Sequence, residues 1–257
     1  MKKQFPFVIN LLVASLCFGA GPLLAESPET VEPAEEKLVS ETGLTGDWGG
    51  VRTTMVENGL TIDLNGIYSY QNVAGGGLNF GNDNGSVFSG NLGFTLDTEK
   101  AGLWEDGLLK VRLEGRGGPN ALRGAAATSP VNNQAVFPLV EGSGGGEVMA
   151  LTELTFMQFL TEKFGLVGGL INTTYGDNNP ITGNAISNQH FMNLGFLYSP
   201  VEAGVAPAVT LGGGVILLPA EGIQGSFTVF GSEETAGNDP FSLYEGTTFA
   251  TEWEFEY

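Results

Sequence analysis

Between Leu108 and Arg116 every second residue is charged: Lys110, Arg112, Glu114 and Arg116. The residues between them are Leu109, Val111, Leu113 and Gly115. Successive side chains of an extended strand point to opposite sides. The pattern therefore sets a line of ammonium, guanidinium and carboxylate groups back to back with an uncharged, mostly apolar line. Groups of this kind can hydrogen-bond the hydroxyls of a polar solute, and a ring of them tunes which ions pass. Asp63 and Glu153 stand at polar positions of two further alternating stretches and are weaker candidates of the same kind. The plainer reading of all six is solvated side chains paired with neighbouring strands.

Other chemistries find less support. His190 is the one histidine, and the one cysteine, Cys17, lies within the first 25 residues. A zinc site lacks its ligand set. No Gly-x-Ser-x-Gly elbow is present, so no catalytic residue is assigned and the chain is not read as an enzyme; a barrel hydrolase would rest only on scattered Ser and Asp residues and His190. The glycines of Gly142–Gly146 lack the Lys-Ser/Thr of a phosphate loop. Asn82-Asp83-Asn84-Gly85 and Asp177-Asn178-Asn179 could chelate Ca²⁺, but they lack the full ligand spacing and are expected to form turns. No metal and no cofactor are expected. With 29 acidic residues against 10 basic ones, for a net charge of −19, the basic footprint that nucleic acid requires is missing.

Position along the chain says what holds the ladder. Residues 1–25 have the form of a secretory signal: Lys2 and Lys3, an apolar stretch best from Leu11 to Ala20, and Ala25 before a cut. Residues 26–43 are acidic, contain two prolines and show no core pattern, as in an exposed, disordered extension. From 44 to 257 one domain is expected. It opens with a short helix over 48–58, with Asp47 as N-cap, Trp48, Val51 and Met55 on one face, and Gly59 as terminator. The period then changes to two. Strands are expected over Leu60–Tyr70, Val87–Asp97, Leu108–Arg116, Ala150–Leu160, Lys163–Asn172, Phe191–Ser199, Pro207–Leu218, Ile223–Gly231 and Thr247–Tyr257. Residues 117–147 carry no periodic element and are expected to form a long surface loop.

A soluble sandwich also alternates, but two features favour a transmembrane barrel. The charges cluster on one side of long strands while the other side is nearly all Leu, Ile, Val, Phe and Tyr; facing lipid, Arg or Lys costs ~2–4 kcal/mol at the midplane. Short Gly/Asn turns also contrast with the long 117–147 connection, as the two ends of such barrels do. The expected fold is thus all-β: an antiparallel transmembrane barrel of about eight or nine strands, partial or complete, with a short N-terminal periplasmic helix.

The stretch Leu44-Thr45-Gly46-Asp47-Trp48-Gly49-Gly50-Val51-Arg52, followed by Gly59, a tyrosine-rich strand and Gly75-Gly76-Gly77, resembles the start of the carbohydrate-selective porin family of Gram-negative outer membranes. The run Leu151-Thr152-Glu153-Leu154-x-Phe156-x-Gln158-Phe159-Leu160 is similar to the family's paired strands. The resemblance covers most of 44–257 and is tightest at 44–77. It implies a barrel of about sixteen strands, passive diffusion of small carbohydrates, an outer-membrane location, and membrane lipid and the barrel-assembly machinery as partners, with homo-oligomerisation left open. Chains of the family are roughly twice this length, which favours a partial barrel, although Trp253-x-Phe255-x-Tyr257 is similar to a barrel's closing strand. In the motif, Gly46, Asp47, Trp48, Gly49, Gly50 and Arg52 carry the match. Trp48 and Arg52 could gate the periplasmic mouth. The favoured expectation is that Trp48 packs the helix on the barrel and Arg52 pairs with a carboxylate. A non-conducting barrel, presenting the 117–147 loop as a binding face, is the competing function.

Overall fold

The computed structural model describes residues 45–72, 84–118, 137–138, 147–174, 207–233 and 246–255. Eight strands follow in chain order: β1 (Leu60–Asn72), β2 (Asn84–Asp97), β3 (Gly107–Gly117), β4 (Val148–Thr161), β5 (Phe164–Asn172), β6 (Val209–Ala220), β7 (Ile223–Gly231) and β8 (Thr247–Phe255). Each pairs antiparallel with the next, giving one meander sheet in sequence order. Among the described residues, β1 and β8 are the edges and each pairs on one side only. No described helix is long and apolar enough to cross a membrane. The strands run from 9 to 14 residues, the reach of a tilted membrane strand.

Register turns the period-two pattern into continuous rows. One face carries Leu60–Leu96–Leu109–Phe156, then Ile62–Phe94–Val111–Leu154, then Leu64–Leu92–Leu113–Leu151. The opposite face carries Thr61–Thr95–Lys110–Thr155, then Asp63–Gly93–Arg112–Glu153, then Asn65–Asn91–Glu114–Ala150. The exposure is inverted relative to a water-soluble protein. Leu64 and Met149 are 79% and 78% exposed, and Tyr68, Tyr70, Phe88, Phe227 and Phe249 are open as well, whereas Arg112, Glu114, Arg116 and Glu153 are all buried. Ionic groups are almost never buried unless paired, and large contiguous apolar surfaces are rare on soluble monomers. An apolar exterior over a polar, charged interior is the arrangement that lipid outside and water inside select.

The connections 98–106, 162–163 and 221–222 join strands at one end, and 73–83, 118–147, 173–208 and 232–246 at the other. The helix enters β1 at the short-connection end. Tyr68, Tyr70 and Phe88 lie towards the long-connection end; Trp104, Phe156 and Trp253 lie towards the short-connection end. Trp104 donates from Nε1 to Gln158 Oε1 at 2.8 Å and meets Phe156 edge to face, so the polar tip and apolar body of an interfacial aromatic are both used.

Glycines lie opposite several of these aromatics. Trp253 faces Gly225 across β7–β8, and a Cβ on Gly225 would come within 2.6 Å of the ring. Gly169 is used for its backbone: its φ is +131° and an added Cβ would collide with the Leu154 carbonyl across the ladder. Gly169→Ala is accordingly expected to destabilise the sheet by about 1–3 kcal/mol. The check is the urea midpoint of detergent-folded protein, and an unchanged midpoint would refute the strain at this site.

Several expectations need correction. The α-helix spans Val51–Glu57, not 48–58, because Gly49 and Gly50 have φ of +69° and +96° and Trp48 has +52°; residues 48–50 form a single 3-10 turn instead. Asp47 is the N-cap of the 3-10 turn, as expected for a helical segment starting at Trp48, while Gly50 caps the α-helix that follows. Strand β2 starts at Asn84, so Asn84 and Gly85 pair with Asn72 and Gln71 rather than forming a turn. Within 117–147, Phe137 and Pro138 are buried, so that connection is not wholly at the surface. The expected strand Phe191–Ser199 lies outside the described residues, as do residues 1–44, His190, Gly142–Gly146 and Asp177–Asn179.

Candidate functional site

The six charged candidates all lie on the polar-face rows. Asp63, Arg112 and Glu153 fall in a single cross-strand row over β1, β3 and β4, with Gly93 of β2 between Asp63 and Arg112. Arg112 Nε donates to Glu153 Oε2 at 3.3 Å, and both side chains are buried. Arg112 Nη1 reaches Asn91 Oδ1 at 3.5 Å. A Cβ built on Gly93 would be 3.6 Å from both Arg112 Nη1 and the Asp63 Cβ, so the glycine leaves a notch between guanidinium and carboxylate. Asp63 is the exposed member of the row. Carboxylate, gap, guanidinium and carboxylate in one line give alternating acceptors and donors, the combination that matches vicinal hydroxyls.

Glu114 sits one row further along and belongs to a different contact. Asn172 Nδ2 of β5 donates to Glu114 Oε1 at 3.4 Å, while Asn172 Oδ1 accepts from Thr174 N and Oγ1 at 3.0 and 2.7 Å. Lys110 lies between Thr95 and Thr155, and Arg116 between Ser89 and Val148. The ladder on β3 therefore contributes to four successive rows, and only Arg112 joins the other two candidates.

A β-bulge sets the β4 side of the row. Arg112 faces Glu153 but the next residue, Leu113, faces Leu151, so Thr152 is an extra residue in β4. Two adjacent β4 residues, Thr152 and Glu153, are thereby both buried opposite Arg112, whereas strict alternation would have put one of them outside. This is why the period of β4 reads less cleanly than that of its neighbours. Gln158 is a polar residue on the face of Leu154 and Phe156, where its side chain bonds Trp104 and the Glu105 carbonyl at the short-connection end.

Asn91 and Asn172 belong to the site but carry no charge to single them out. Asn91 was legible as a polar-face residue of its strand; its place beside Arg112, and that of Asn172 beside Glu114, follow only from register.

The motif residues stand apart, ahead of β1. Asp47 Oδ1 accepts from Thr53 N at 2.8 Å and Thr53 Oγ1 at 2.9 Å, so the carboxylate ties down the first helical turn although the N-cap position of the α-helix is occupied by Gly50. Trp48 is 46% exposed. Arg52 does not pair with a described carboxylate; its guanidinium lies over the Trp48 ring at 5.5 Å, with Nη1 donating to the Gly46 carbonyl at 3.3 Å.

Among solved structures the chain is similar to Pseudomonas putida OprB at high pH, with a TM-score of 0.65 at 21% identity over 84% of this chain and 52% of that one. At this identity the likeness is one of fold, and this chain spans about half the length of that protein. No curated protein matches. The model of the carbohydrate-selective porin, OprB family, matches residues 88–257, that is, the strands from β2 onward rather than the 44–77 stretch that carries the motif. With its inside-out sheet and a family match over well more than half of its residues, the chain belongs to the carbohydrate-selective porin, OprB family.

Proposed function

We propose that this chain forms wall of a water-filled outer-membrane pore through which small carbohydrates diffuse passively, acting as a channel rather than an enzyme. The observation that carries this is the row Asp63–Gly93–Arg112–Glu153 on the face opposite the exposed apolar rows. Bidentate-capable guanidinium and carboxylate groups suit sugar hydroxyls, and their mutual pairing keeps the row from acting as a trap for one ion. The short-connection end, with the helix, is assigned to the periplasm, since short turns lie there in outer-membrane barrels. Export by residues 1–25 and insertion by the barrel-assembly machinery belong to the same reading. An unpaired edge is costly in lipid, so in the working pore β1 and β8 each pair on their second side, by closure into a ring or with a partner.

Planar-bilayer recording tests the proposal. Stepwise conductance that glucose partly blocks is expected. A folded, detergent-stable preparation that never conducts would refute it and favour a non-conducting barrel with a structural or surface-binding role.

A further inference from the structure

The strained hook ahead of β1 takes no part in the row. Four of the five residues Gly46–Gly50 have positive φ, including Trp48, whose side chain makes that region unfavourable. Backbone strain of this kind persists only where neighbouring contacts over-determine it. Here Thr53 binds the Asp47 carboxylate, and the Gly50 and Arg52 amides donate to the Asp47 carbonyl at 3.1 and 3.2 Å. These bonds hold a large aromatic side chain out into solvent, 46% exposed, where burial would have been favourable.

The hook's own backbone is uncrowded: beyond the adjacent residues, nothing lies within 4 Å of a Cβ position on Gly46 or Gly49. Arg52 covers part of the ring and gives one N–H to Gly46; among the described residues this is its only side-chain hydrogen bond, and the Trp48 indole N–H has none. The hook therefore presents an apolar ring with unused donors beside it.

We propose that this hook is a saccharide-binding platform at the short-connection mouth, with a sugar ring stacked on Trp48 and its hydroxyls met by Arg52. A pyranose offers an apolar C–H face and a hydroxyl rim, which pairs with an aromatic ring flanked by donors. A peptide or nucleobase would suit the ring, but membership of a carbohydrate-selective family selects the sugar. The proposal rests on the pore reading for the supply of sugar, and extends it to a site outside the row.

The chain has three tryptophans, so Trp104→Phe with Trp253→Phe leaves Trp48 as the sole emitter. Adding glucose or maltose to this protein in lipid vesicles is expected to change its emission saturably, and Arg52→Met to raise the half-saturating concentration about 5-fold. If the double variant does not fold, the same titration of the otherwise native protein is expected to lose its sugar response on Trp48→Phe. No saturable response, or a response that survives Trp48→Phe, overturns the proposal. So does quenching of Trp48 by brominated lipid without a sugar response, which would make it an interfacial anchor. Bilayer conductance of the same preparation keeps the two readings apart: a conducting, glucose-blocked pore with a silent Trp48 refutes only the platform, and a responsive Trp48 in a non-conducting protein refutes only the pore.

Discussion

Arg112→Met is expected to lower the stability of the folded chain by about 3–5 kcal/mol, because it leaves the Glu153 carboxylate buried without its guanidinium. The loss comes from the stranded charge more than from the missing attraction. Arg112→Met combined with Glu153→Met should therefore recover much of the stability, since a well-packed apolar pair is often as stable as a buried ion pair. Urea midpoints of the two single variants and the double variant check this, and a double variant no more stable than Arg112→Met would show that the two groups are not coupled. The same substitution changes the charge of the row. With Arg112 gone, Asp63 and Glu153 leave it purely acidic, so the reversal potential under a salt gradient should move toward cation preference. The half-blocking glucose concentration should rise in parallel.

A second large effect separates lipid from water as the outer solvent. Leu64 is 79% exposed and lies in the row Leu64–Leu92–Leu113–Leu151 near mid-strand. Leu64→Arg in a bilayer should cost ~2–4 kcal/mol, the price of a cation at the lipid midplane. The neighbouring Asn65 faces the other way, in the row with Asn91 and Glu114, and Asn65→Arg should change stability by less than about 0.5 kcal/mol. Folded fractions in vesicles across a urea series measure both. In a water-facing sheet Leu64→Arg would be neutral, so equal midpoints for the two variants would refute the membrane reading.

Strand identity was open to inspection because one-sided burial forces a strict period. In β2, Phe88, Gly90, Leu92, Phe94 and Leu96 must all share a face, and a slip of one residue would reverse every side chain. The same logic placed Lys110, Arg112, Glu114 and Arg116 together on the polar face. It failed where the chain leaves that period. The helix began later than expected because the left-handed hook over Trp48, Gly49 and Gly50 is a backbone choice that apolar spacing does not report. The exposed Trp48 followed from the same hook. Asn84 and Gly85 read as turn residues by type, yet pairing with Asn72 and Gln71 made them strand.

The sequence by itself determined the two faces of the sheet and the sign and order of charges along β3, since each of these depends on neighbours along one chain. Only the tertiary structure decided that Asp63, Arg112 and Glu153 share a row while Glu114 meets Asn172. Register between strands distant in sequence is set by the packing of whole rows and by single irregularities such as Thr152, and no local pattern encodes it.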